Sequence, residues 1–190
     1  SGSCNGNITW VLSEDGTLTV SGKGPMEWYN WGNYRNDIKK VIIEAGITSI
    51  ADNAFHSCSN LTAVEIPDTV THIGDWAFGR LPNVTEIHYP STVSRIDMTS
   101  NYACPSLTKF VVDRNNAVYS VANDGQVLIE NGSLVRAAVK TITSYAAGDA
   151  ITTIGMGAFD STDLAELDLN KVQVIQNYAF ADCHDLKSVV

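Results

Sequence analysis

The sequence predicts a repeat solenoid, rich in β-structure. Short strands stack in a parallel ladder, short turns or 3-10 segments join them, and a β-hairpin caps the N-terminus. Three observations predict it. A unit of 23 residues recurs, with starts near Ile38, Leu61, Val84, Leu107, Ile142, Leu164 and Leu186, spaced 23, 23, 23, 35, 22 and 22 residues apart. Apolar residues return to the same slots of each unit. A unit this short cannot bury its own apolar face, so neighbouring copies must stack and share one core.

Residues 1–37 precede the first unit and read as its cap. The run ITWVLSEDGTLTVSG alternates in two halves about Glu14-Asp15-Gly16, a hairpin signal. It leads into Trp28, Tyr29, Trp31 and Tyr34. An open first rung would expose both core and strand edge, and a hairpin with an aromatic cluster covers both.

The solenoid proper spans 38–190, and its clearest unit is LTAVEIPDTVTHIGDWAFGRLPN from Leu61. Val64 and Ile66 alternate with Ala63 and Glu65, which marks a short strand with one buried face. Pro67 ends it, having no N–H for a ladder. Val70 and Ile73 return to the core, and Ala77, Phe78 and Leu81 follow in a tighter turn. The first unit repeats the pattern as Val41, Ile43, Ile47, Ile50, Ala54, Phe55 and Cys58. The sixth repeats it as Leu167, Leu169, Val172, Ile175, Ala179, Phe180 and Cys183. Gly74 and Gly155 share a slot with Ala51, Asp97 and Gln176, so that slot is limited by room and not by a positive φ.

Aligned units make columns. Thr62, Thr85, Thr108 and Thr143 form a hydroxyl column suited to hydrogen bonds between rungs. The outward strand columns read Lys40, Ala63, Glu86, Lys109, Ser144, Glu166 and then Ile42, Glu65, His88, Val111, Ala146, Asp168. Their chemistry varies while the inward columns stay apolar, as expected of a constant scaffold with an adjustable face. Glu65, Glu86, His88, Lys109, Glu166 and Asp168 on that face are the candidate binding residues.

Two units are irregular. The third carries Ser100 and Asn101 where Ala77 and Phe78 stand in the second, so Met98 or Tyr102 is expected to fill the gap. The fourth is about 12 residues too long. Its extra segment places Asn123-Asp124-Gly125 and Asn131-Gly132 between apolar runs, which predicts a hairpin insertion at about 115–135 projecting from the array. The last run, Leu186 to Val190, opens a seventh unit without completing it. It reads as a piece of a longer array, with weak self-association expected through residues after about Ala179.

These units resemble those of the BspA-like bacterial leucine-rich repeat family, L-xx-V-x-I-P-xx-V-xx-I-G-xx-A-F-xx-C, over Ile38 to Val190. The long fourth unit resembles that family's recurring insertion at Asn116, Tyr119, Asp124, Gly125 and Leu128. The TW-VL-DGTLTVSG pattern of the cap resembles a segment that precedes such repeats in gut bacterial surface proteins. The resemblance implies a secreted or cell-surface address, a host or microbial surface macromolecule as partner, and adhesion as the role. It supplies no catalytic residues. The third unit's lost Ala-Phe pair and the weak strand at Tyr145-Ala146-Ala147-Gly148 depart from the pattern.

Composition narrows the classes. A formal charge of −9, with 12 Lys and Arg against 21 Asp and Glu, disfavours nucleic acid and anionic membrane surfaces. No apolar run reaches the ~18 residues of a membrane span. The polar opening SGSCNGN is no signal peptide, and a processed N-terminus is the expectation. Of the four cysteines, Cys58, Cys104 and Cys183 occupy the apolar slot that Leu81 fills in the second unit. Cys58 and Cys104 are two rungs apart, roughly 10 Å at the strand spacing, beyond the reach of a disulfide. They read as packing thiols, and Cys4 stays unassigned. No CxxC or Cys/His ligand spacing points to zinc, and no motif calls for a cofactor.

The remaining chemistry has bland alternatives that win. His56, His72, His88 and His184 lie far apart with no metal motif, and Ser21-Gly22-Lys23-Gly24 lacks phosphate-loop spacing. Glu65 and Glu86 sit on neighbouring rungs at a separation that suits glycosidase carboxylates, yet nothing predicts a pocket around them. The primary reading is a non-catalytic protein-binding or adhesion module, with the ladder face or the projecting hairpin as its contact surface. The alternatives are a structural spacer within a larger surface protein and a carbohydrate-binding protein using Trp28, Tyr29 and Trp31.

Overall fold

The computed structural model describes residues 1–4, 6–97, 99–138 and 142–190. They form two compact units, one of residues 1–106 and 112–117, the other of 107–111 and 118–190. Each is β-solenoid in character, with parallel strands stacked between rungs. Among the described residues the only helical pieces are 3-10 turns at Gly32–Tyr34 and Asn123–Gly125.

In the first unit, β1 (Gly2–Ser3), β2 (Ile8–Leu12) and β3 (Thr17–Gly22) form an antiparallel meander. After β4 (Gly24–Pro25), each rung gives two strands, β5 (Lys40–Ile43) with β6 (Ile47–Ile50), β7 (Ala63–Glu65) with β8 (His72–Ile73), and β9 (Glu86–Tyr89) with β10 (Arg95–Ile96). One sheet runs β1-β2-β3-β5-β7 and a second runs β10-β8-β6-β4. The hairpin strand β3 joins the ladder in repeat register, Leu18 beside Val41 and Val41 beside Val64. The second sheet is in step too, with Ile50, Ile73 and Ile96 side by side.

Hydrogen bonds tie each rung to the next from both sides. The Thr62 and Thr71 amides donate back to the Lys39 and Thr48 carbonyls, and the Phe55 and Ser57 amides donate forward to Ala77 and Gly79. Side chains add to this. The Thr62 hydroxyl donates to the Lys39 carbonyl (3.1 Å), so at Thr62 the bond to the preceding rung goes to a backbone oxygen and not to another hydroxyl. Thr69, Thr71, Thr92 and Ser94 donate in the same sense to Ile47, Thr48, Val70 and Thr71. Asn60 and Asn83 amides reach the Asn36 and Ser59 carbonyls.

The core is a stack of rings. Trp31, Phe55 and Phe78 are fully buried, with centroids 5.6 and 5.8 Å apart and planes within 12° and 9°. Trp31 extends the phenylalanine column into the cap, its indole N–H donating to the Ala54 carbonyl at 2.8 Å. In the third rung the column ends on Asn101, itself buried, its side-chain amide 3.5 Å from the Tyr89 hydroxyl. Tyr102 does not fill the gap. It lies half-buried, edge-on to Trp76 at 5.1 Å. Met98, the other residue expected there, lies outside the described residues.

Beside each Ala-Phe pair the chain turns through two left-handed residues four apart: Asn53 and Ser57, Trp76 and Arg80, Gly157 and Ser161, Tyr178 and Asp182, all with φ between 51° and 59°. Only one of these eight is glycine, so composition gives no sign of them. Gly74 has no such φ. A Cβ there would fall 2.4 Å from an Asp52 carboxylate oxygen, which agrees with a slot limited by room.

The second unit contains β11 (Lys109–Val112) as far as residue 111, then β12 (Tyr119–Ala122), β13 (Val127–Glu130), β14 (Ser133–Ala137), β15 (Ser144–Ala146), β16 (Thr153–Ile154), β17 (Glu166–Asp168), β18 (Val174–Ile175) and β19 (Ser188–Val189). The inserted segment forms the antiparallel meander β12-β13-β14, turning at Asn123–Gly125 and Asn131–Gly132. It does not project. β14 pairs in parallel with β16, and Val127 and Leu134 belong to the same core as Ile154 and Phe159. Its apolar alternation is what draws it down. Phe159 stacks on Phe180 at 5.6 Å, repeating the ring column.

All four cysteines are free; three are buried and Cys183 is partly so. The Cys104 and Cys183 thiols lie 3.0 and 2.9 Å from the Phe78 and Phe159 carbonyls. Burial pushes the Cys58 thiol up from an ordinary 9.0 to about 12, with Arg35 opposing weakly.

Phe78→Ala is expected to cost about 3–5 kcal/mol and Asn101→Ala about 1 kcal/mol in urea denaturation. Equal losses would show that Asn101 is not the occupant of the ring column. Cys58 stays protonated when folded, so its stabilisation is complete below about pH 9 and falls by about 1.4 kcal/mol per pH unit toward 12. Cys58→Leu, which puts in this slot the residue that Leu81 supplies one rung on, should flatten that alkaline limb of a melting-temperature profile. Ala103, at φ 56°, carries a left-handed strain that glycine lacks. Ala103→Gly should gain about 0.5–1 kcal/mol in the same urea assay, after the entropy cost of glycine.

Candidate functional site

Inward slots of the ladder are filled by aliphatic and ring side chains, which leaves chemistry to the outward columns. All six residues singled out from the sequence are exposed there. In the first unit Glu65 on β7 meets the Lys40 ammonium at 2.5 Å, and Glu86 meets the His88 imidazole at 2.8 Å along β9. Each carboxylate is therefore drawn to its own cationic or imidazole neighbour, and the two do not share a reacting centre. Such exposed pairs stabilise little. Lys109, Glu166 and Asp168 lie in the second unit.

There the geometry is different. β15, β17 and β19 run parallel, with Ser144 beside Glu166 beside Ser188, and Ala146 beside Asp168. Their outward residues floor an open cleft of about 570 Å³, which also reaches Gly148 and Val190. Ala122 and Asn123, at the turn of the inserted meander, form its wall. The floor is small and neutral on β15 and acidic on β17. Asp168 accepts a hydrogen bond from the Asn170 amide at 2.9 Å, and neither Glu166 nor Asp168 has a cationic partner among the described residues. The nearby Asp149 does, and the Lys171 ammonium at 2.7 Å, with Asn170, holds its carboxyl below the usual range.

Of the residues lining this cleft, sequence reasoning named Glu166 and Asp168 as candidates and placed Ser144 and Ala146 only in the outward columns; it did not single out Ala122, Asn123 or Ser188, because no repeat column reveals what a folded-back insertion will face. The irregular strand at Tyr145-Ala146-Ala147-Gly148 was the available signal. It marks where the ladder resumes.

The other candidates disperse. The His72 Nε2 lies 3.0 Å from Asp97, which also takes Arg95 at 2.9 Å. His56 sits edge-on to Trp76 at 5.4 Å, and burial, with Arg35 and Arg80, lowers its pKa. Trp31 cannot serve as a surface platform for sugars because it is wholly buried, whereas Trp28 is 49% exposed. Ser21 to Gly24 runs from the end of β3 through a bend at Lys23 into β4, with Gly22 and Gly24 at φ 133° and 97°. Among the described residues no three His, Cys, Asp or Glu side chains gather as metal ligands, and no helix is long and apolar enough to cross a membrane.

Comparison with known proteins gives a consistent picture. A family model described as the BspA type leucine rich repeat region matches residues 32–124 and 129–190, in 6 copies. Among solved structures, the chain is similar to a leucine rich cell surface protein from Faecalibacterium prausnitzii A2-165, with TM-score 0.71 and 19% identity over 100% of this chain and 76% of that one. The pneumococcal vaccine antigen PcpA gives TM-score 0.69 and 16% identity over 100% of this chain and 70% of that one. A leucine-rich repeat protein from Eubacterium ventriosum ATCC 27560 gives TM-score 0.55 and 24% identity over 98% and 70%. At these identities the likeness is one of fold. No curated protein matches the chain.

Proposed function

The chain belongs to the BspA type leucine-rich repeat family, and from that premise we propose that it is a non-catalytic protein-binding module of a secreted or cell-surface bacterial protein. Its partner is a macromolecule of a host or microbial surface. The observation that carries this reading is the contrast across the ladder. Inward positions such as Leu167 and Tyr145 are buried, while Ser144, Ala146, Glu166 and Asp168 between them are exposed and chemically varied. In the second unit they floor a cleft, and the two carboxylates there are free to meet a partner's cations. The similar cell surface protein and the vaccine antigen described above support a surface address by analogy of fold.

Ladder-face binding is favoured over a pure spacer by the cleft, which a spacer does not need. It is favoured over a lectin by the burial of Trp31 and by the lack of an exposed ring in the cleft. The paired carboxylates Glu65 and Glu86, each engaged by a basic neighbour, give no support to glycosidase chemistry.

The test is adherence of beads coated with the chain to cultured epithelial cells. Glu166→Lys with Asp168→Lys is expected to cut adherence at least tenfold, and Glu65→Lys with Glu86→Lys to leave more than half of it. Adherence unchanged by both pairs would remove the ladder face as the binding surface.

A further inference from the structure

β15 is the first strand of its ladder, and among the described residues its second edge has no partner strand. Successive residues of a strand aim their backbone groups at opposite edges. The Thr143 carbonyl accepts from the Ala165 and Glu166 amides, and the Ala147 amide donates to the Asp168 carbonyl, so odd-numbered residues face β17. Ser144 and Ala146 therefore aim their N–H and C=O groups the other way. Among the described residues no strand pairs with that edge. The insertion explains the break. Its turn lies against β11, where a Cβ on Gly125 would fall 2.7 Å from the Phe110 carbonyl oxygen. Ala122 and Asn123 then stand as the wall of the cleft that Ser144 and Ala146 floor.

We propose that this edge takes up an extended peptide by strand addition, the peptide carrying basic side chains at alternate positions. The proposal rests on the ladder-face reading above and names the partner segment that face receives. Free N–H and C=O groups in strand geometry match a peptide backbone, which offers the same donors and acceptors at the same repeat. Side-chain chemistry selects among peptides. A strand added beside β15 places every second side chain on the outward face. There it passes the small Ser144 and Ala146 and comes within reach of Glu166 and Asp168, exposed and without a cationic partner among the described residues. Lysine or arginine at those positions meets both carboxylates. The formal charge of −9 works against a second copy of this chain as the added strand.

The test uses the full chain and a synthetic octapeptide of alternating lysine and valine, with calorimetry and amide hydrogen exchange. Two further versions are N-methylated, one at every lysine and one at every valine, so that only one of them blocks the edge facing β15. The expected result is binding of the parent peptide with exchange at the Ser144 and Ala146 amides slowed at least tenfold. One methylated version should bind at least tenfold more weakly and the other within about threefold of the parent. Glu166→Gln with Asp168→Asn should weaken the parent at least fivefold. Equal affinities for the two methylated versions, or unchanged exchange at Ser144 and Ala146, overturn strand addition while leaving ladder-face binding intact. Protection of those amides in the absence of peptide, with dimers in sedimentation, overturns it in favour of a second copy. Lost epithelial adherence in the Glu166→Lys, Asp168→Lys variant with no peptide binding to the unaltered chain overturns the peptide proposal alone.

Discussion

Everything in this fold depends on hydrogen bonding between rungs. A single turn of about 23 residues has two short strands and a tight corner, and none of them can satisfy its own backbone groups or bury its own apolar face. The neighbouring turn does both. Thr62 and Thr71 amides take the carbonyls of the turn before, and Phe55 and Ser57 amides take those of the turn after. Because these bonds fix strand register, residues at the same place in each repeat are brought into line. Leu18, Val41 and Val64 then pack as one column, and Trp31, Phe55 and Phe78 as another. The exposed columns are lined up by the same register, so the outer surface inherits a regularity that the core requires.

That dependence explains what was legible in the sequence. Slots such as Phe55, Phe78, Phe159 and Phe180 were readable because a fixed period leaves no freedom in where each ring goes. The cysteine slot was readable for the same reason, since Leu81 declares it apolar. The polar occupant of the third rung was less so. A helical or strand pattern expects an apolar neighbour to fill the place of a missing Phe, whereas the structure keeps Asn101 in the slot and gives it the Tyr89 hydroxyl. The left-handed corners were invisible. Trp76, Arg80 and Tyr178 carry no conformational signature, and the surrounding hydrogen bonds impose their φ angles on them.

The insertion shows the same limit in another form. Asn123-Asp124-Gly125 and Asn131-Gly132 specify local turns, and both turns form. Local signals do not say what the outer strand of a meander will pair with. β14 finds β16, the meander joins the core, and the cost is a ladder interrupted before β15. The cleft exists because of that interruption. Its acidic residues belong to repeat columns that the sequence displays, while its wall comes from outside the repeat and shows in no column.

Apart from the forward bonds of Trp31 to Ala54 and Arg136 to Gly157, the threonine, serine and asparagine bonds between rungs share a direction. Thr69, Thr71, Thr92, Ser94, Asn60 and Asn83 each reach back to a carbonyl of the preceding turn, and in the second unit Asn170 reaches back to Ala147. A turn thus carries the donors that dock it onto a turn made earlier. A chain emerging from a ribosome or a translocation pore offers its turns in that same order. Every newly released turn meets a finished template whose carbonyls along the strands and amides at the corner are already in place, so the molecule is suited to assemble like a zip fastener while the rest of it is still being threaded out.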